Sequence, residues 1–179
     1  MYAPQWLDII EEYLGWPGLK SGCYYFMAHM SERFDDKKKA MIARYTPLSP
    51  EELNNGAFDL NWFEEAYSLL GKERFDRLYD AAKYISDGSK HARARKYADA
   101  ALGRVTAEEM EPVIREKRNK DLLMSYGLAP ARERRELPHR YEFLQQFRKD
   151  SRQFGAQRRA SEALAVSVAM KNMATRAGF

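Results

Sequence analysis

The chain has 179 residues, of which 45% are apolar and 31% charged, with a formal net charge of +4. That length suits a single domain spanning 1–179 with a real core, and the composition excludes a disordered chain. The lone cysteine, Cys23, excludes an internal disulfide and fits a reducing cytoplasm; "MYAPQWLDIIEEYLGW" is no signal peptide, and "ALAVSVAM", the longest apolar run, is far short of the roughly 20 residues of a membrane helix.

The periodicity is helical almost throughout. Residues 5–15, 19–33, 35–45 and 50–55 read as helices, with Pro47 and Pro50 marking a loop. "CYYFMAHM" contains strand-forming residues but lies inside the second of these helical runs, and no convincing strand is found. Asp35 and Asp36 precede "KKKAMIARY", where carboxylates favour a helix N-terminus, so they read as a cap and not as a catalytic pair.

Leu60, Phe63, Tyr67 and Leu70 keep the spacing of one helix face, with Asn61 and Glu64 as a capping-box-like start. After Gly71 the same pattern resumes at Phe75, Leu78, Tyr79, Ala82 and Ile85, so 59–85 reads as a helical hairpin whose second face is largely buried. Ala94, Tyr97, Ala98, Ala101 and Leu102 form the next face. Thr106 with Glu109 is a capping box for a helix running to Gly127, in which Pro112 is awkwardly late and predicts a kink or a later start. Finally, 138–174 reads as one long helix bent at Gly155, where an interior glycine implies close approach of another helix.

Eight to ten helices therefore make an all-α fold. "LLGKERF" and "ALGRVTA" repeat Leu-Gly-basic 32 residues apart, which leaves two architectures open: an irregular helical bundle or a degenerate α-solenoid of helical hairpins. Three blocks, "GAFDLNWFEEAYSLLGKERFDRLYDAAKYISDGSKHARARKYADAALG", "EKRNKDLLMSYGLAP" and "RYEFLQQFRKDSRQFGAQRRASEALAV", resemble in order the helical region of large bacterial MolR-type proteins with domains of unknown function. The resemblance covers roughly residues 20–179. It implies HEAT-like repeats and a piece of a longer protein, and it brings no catalytic or ligand residues.

The residues offer no chemistry of their own. Cys23, His29, His91 and His139 have no metal-ligand spacing or nucleophile–base pairing, and no glycine loop cradles phosphate, so neither enzyme activity, metal nor cofactor is predicted. The aromatic residues, Trp6, Trp16 and Trp62 included, read as core. What stands out is charge: 131–159 holds nine basic and four acidic residues, a net of +5, while 1–60 is net −3. Within it Arg148, Lys149, Arg152, Arg158 and Arg159 are the candidate contact residues. On a continuous helix Arg148, Arg152 and Arg159 fall within about 40° of each other, roughly 140° from Phe143, Phe147 and Phe154. That favours a solvated face with ion pairs, on a non-catalytic scaffold that binds a protein partner or other domains of its own chain. A nucleic-acid-binding surface is the alternative.

Overall fold

The structure, a computed structural model, describes residues 4–31 and 33–179. These residues form eleven α-helices with no strand among them: α1 (Pro4–Leu14), α2 (Leu19–His29), α3 (Asp36–Ile42), α4 (Pro50–Asn54), α5 (Leu60–Leu70), α6 (Lys72–Ala81), α7 (Ala92–Ala101), α8 (Ala107–Lys117), α9 (Lys120–Tyr126), α10 (Glu136–Asp150) and α11 (Ala156–Arg176). The all-α expectation holds. Short 3₁₀ turns follow α6 and α10, at Ala82–Tyr84 and Ser151–Gln153. The helices gather into two compact units, residues 1–54 with 59–95 and residues 55–58 with 96–179, the boundary falling inside α7.

In the first unit α2 is the hub and packs against α1, α3, α4, α5 and α6. Its "CYYF" segment is buried almost all round, because aromatic side chains on adjacent helical positions meet neighbours on several sides. Tyr25 meets Phe63 and Phe75 with ring centroids 5.3 and 6.4 Å apart, and Trp62 stacks on Tyr45 at 5.3 Å. The Trp62 indole donates to the Ser21 hydroxyl at 2.9 Å, giving the buried ring its polar partner.

Local signals set several helix ends as expected. The Asp35 carboxylate accepts from the Lys38 backbone N–H and starts α3. Thr106 and Glu109 form a complete capping box on α8. Asp59, however, caps α5 by accepting from the Trp62 N–H, so the Asn61–Glu64 start is corrected by two residues. Glycine at positive φ suits Gly71, which ends α5 and starts α6 at φ 76°.

Four larger expectations are corrected. Phe75 is fully buried, but Leu78 and Tyr79, inside α6, are half-buried; Ile85 is 40% exposed, because the 3₁₀ turn after α6 shifts its register. Trp6 lies outside the core, at 59% exposure. The helix from Thr106 is not disturbed at Pro112. It breaks at Arg118, which takes the left-handed conformation (φ 49°, ψ 39°), and Asn119 caps α9 anew. The long helix is likewise two: Ser151–Gln153 tightens into 3₁₀, Phe154 becomes extended, and Gly155 is the N-cap of α11. In the second unit α11 then packs against both α9 and α10.

The close helix approach lies at Gly127 instead of Gly155. A Cβ on Gly127 would come within 2.2 Å of the Ala169 carbonyl oxygen of α11, whereas one on Gly155 would meet nothing within 4 Å.

Candidate anion-binding hollow

The break at 151–155 creates the most distinctive surface of the second unit. Since α11 turns back on α10, the last turn of one helix faces the first turns of the other. Arg148 and Lys149 from α10, Arg152 from the 3₁₀ turn and Arg159 from α11 line one hollow of about 700 Å³. Its apolar lining is made by Ala156, Ala160 and Ala163, whose small side chains leave the space open. Gln145 adds a neutral polar group. All four cations are exposed, and among the described residues none of them forms an ion pair or a side-chain hydrogen bond. The face is solvated, as expected, but the ion pairs expected with it are absent at these four residues. The nearest acid in sequence, Asp150, accepts instead from the Gln146 amide at 2.7 Å.

Arg158, the fifth candidate, belongs elsewhere. Its guanidinium lies 3.5 Å over the Phe154 ring and donates to Glu162 at 3.2 Å. Glu162 is 2% exposed and is the centre of a buried network that the sequence reading missed. Arg118 donates to both of its carboxylate oxygens, at 3.1 and 2.8 Å, and also to the Phe147 carbonyl and the Ser151 hydroxyl at 3.0 Å. The Arg118 guanidinium lies 3.7 Å over the Phe147 ring. Burial pushes the Glu162 carboxyl up, but hydrogen bonds from Arg118, Ser151 and Arg158 together outweigh it and hold the group at about 2. This network ties the α8–α9 break to the α10–α11 break, and so fixes the geometry of the hollow. The only signal for it in the sequence is an acid, Glu162, at the start of an otherwise apolar helix segment.

The remaining basic residues of 131–159 are also engaged or remote. Arg140 is 3% exposed and donates to the Ala129 and Pro130 carbonyls and to Glu136. Arg135 pairs with Glu133.

Burial, with Glu11 adding to it, pushes the Cys23 thiol up to about 12, so it stays protonated at neutral pH. Burial also lowers His29 to about 4, only partly offset by the bond between Nδ1 and the Tyr25 carbonyl. His139 contacts Glu111 at 2.9 Å. No group of three or more metal-binding side chains occurs among the described residues, and no helix there is long and apolar enough to cross a membrane.

One family model matches the chain over residues 1–179. The chain belongs to DUF5724, a family of unknown function. No curated protein and no solved structure matches this DUF5724 chain. Membership supplies no residue roles, so the hollow between α10 and α11 stands on its own geometry.

Proposed function

We propose that this DUF5724 chain is a non-catalytic helical interaction module of the kind found in bacterial MolR-type proteins with HEAT-like repeats, and that it engages an anionic partner through the hollow between α10 and α11. The observation that carries this reading is the set of four cations around one concavity without a carboxylate partner. Like charges gathered on two helices and a turn repel one another, and a bound anion relieves that repulsion. Arginine, three of the four, offers flat forks of donors suited to phosphate or carboxylate. The test is retention on an immobilised polyanion. Wild-type protein should be held at low salt and released as salt rises, and the Arg148→Gln, Arg152→Gln, Arg159→Gln triple variant should elute much earlier. Wild-type protein that passes straight through would reject the reading.

A second reading, a contact with a protein partner, rests on α1. Trp6, Ile9, Ile10 and Tyr13 are 59%, 53%, 40% and 86% exposed, and they fall within about 100° of one another around the helix. Such an apolar stripe with two aromatic residues has the composition of an interface centre, and Asp8 and Glu12 beside it disfavour an anionic membrane surface. A photocrosslinker at position 13 in bacterial cells should give one defined cross-linked protein species; none, or an unresolved smear, would reject it.

A further inference from the structure

The charge pattern around the hollow bears on which anion it takes. A nucleic-acid backbone needs a continuing track of cations and, for single strands, aromatic platforms for the bases. Neither is present here. No aromatic side chain lines the hollow. Of the other basic residues in 131–159, Arg135, Arg140 and Arg158 are already paired with Glu133, Glu136 and Glu162. The last two, Arg132 and Arg134, precede α10. The 14 residues from Arg134 to Arg148, at 1.5 Å per helical residue, place these ends about 21 Å apart, more than two screening lengths at physiological salt. Within 131–159 the four cations are therefore a separate, unpaired group around one cavity.

The dimensions agree. About 700 Å³ is room for a small molecule, and Ala156 and Ala160 are among the residues that line it, where a larger side chain would intrude on the space. Three guanidinium forks and one ammonium converge from separate backbone segments, an arrangement that meets several phosphate groups at once. Ala156 is also the first residue of α11, and its N-cap Gly155 offers no side-chain cap, so the positive end of the helix adds to the same field.

We propose that the hollow is a binding site for a compact anion carrying two or more clustered phosphate groups, such as inorganic polyphosphate or the phosphate chain of a nucleotide. The proposal rests on the anionic-partner reading above and narrows it. Calorimetric titration at low ionic strength tests it, with inorganic tripolyphosphate, orthophosphate, nucleoside triphosphate, short and long oligonucleotides and a polyglutamate peptide as probes. Tripolyphosphate should bind with one molecule per chain, at least about tenfold more tightly than orthophosphate. The Arg148→Gln, Arg152→Gln, Arg159→Gln variant should lose at least about tenfold in affinity. So should Ala160→Leu, which keeps every charge but intrudes on the space from an exposed helical position. A nucleoside triphosphate that binds more tightly than tripolyphosphate identifies the nucleotide as the source; equal affinity identifies the phosphate chain alone.

Four results would overturn the proposal. Affinity that rises with oligonucleotide length and exceeds that for tripolyphosphate would make the surface a nucleic-acid contact. Preference for polyglutamate would make it a contact for an acidic protein. In both cases the anionic-partner reading would survive. Undiminished binding by folded Ala160→Leu would remove the hollow as the site. No binding of any probe would remove both readings together.

Discussion

The unit around α2 and the unit containing α10 and α11 are held together by different chemistry. In the first, the interior is made of rings: Tyr24, Tyr25, Phe26, Phe63 and Phe75 are each 2% exposed or less. Its only buried polar side chains among the described residues are His29 and Thr46. In the second, Ser125, Arg140, Ser151, Glu162 and Asn172 are all buried; Ser125 donates back to the Leu122 carbonyl of its own helix, and the other four make hydrogen bonds that reach another element or cap a helix end. The burial of apolar rings is driven by a non-directional hydrophobic effect. A buried carboxylate with two arginines has to be met at defined distances or it costs more than it contributes. The second unit therefore sets the positions of its side chains more sharply, and it is the unit that carries the basic hollow.

The comparison can be broken first at Phe75, which is fully buried among the rings of α2 and α5. Phe75→Ala should cost about 3–5 kcal/mol in chemical denaturation, while Ile85→Ala, on the exposed turn, should change stability by less than about half a kilocalorie. Equal losses at the two positions would show that the aromatic core is not where the stability of this unit resides. In the second unit, Glu162→Ala leaves the partly buried Arg118 without its carboxylate, which predicts a loss of about 3 kcal/mol. The same variant should weaken tripolyphosphate binding, because the break that faces α11 toward α10 is fixed by this network.

Next in size is Gly127→Ala. The added methyl meets backbone, not a flexible side chain, so α9 and α11 must separate, with an expected cost of about 2–3 kcal/mol. Thermal unfolding of this variant unchanged from wild type would contradict the close approach.

Acid should separate the two units by pH window. His29 is held at about 4 in the fold against an ordinary 6.5, so the unfolded chain takes up the proton first. Stability that is full above pH 6.5 should fall as pH drops toward 4. Glu162 sits at about 2 against 4.5, so its contribution is present above pH 4.5 and is lost as pH drops from there toward 2. Urea denaturation as a function of pH should show both declines in the wild type, and Glu162→Gln should abolish only the lower one. The smallest expected effect is at Gly155. Its backbone, at φ −62° and ψ 161°, suits any residue, and it stands at an N-cap where serine is preferred to glycine. Gly155→Ser should raise stability by a few tenths of a kilocalorie, whereas a glycine in a helix contact would lose stability on the same change.

The helical class, most helix boundaries, the Asp35 cap and the Thr106–Glu109 box were legible in the amino-acid order alone. Each depends on residues three or four apart, whose chemistry acts before any distant contact exists. Burial was legible in the same way at Phe63, Leu70 and Tyr97, though not at Trp6, Leu78 or Tyr79. The grouping of Arg148, Arg152 and Arg159 was anticipated too, but from a continuous helix that does not exist.

What only the tertiary structure decided are the two breaks and their consequences. Asn119 and Gly155 follow the two breaks as N-caps, but neither residue type by itself forces a helix to stop. The conformations of the breaks are held by Arg118 reaching Ser151 and Glu162, residues 33 and 44 positions away. That contact turns α11 back on α10, draws Arg158 onto Glu162 and leaves the other four cations around one cavity. Periodicity reports which face a residue occupies only while the helix continues. Where a helix ends through a bond to a distant side chain, the sequence holds both partners but not the fact that they meet.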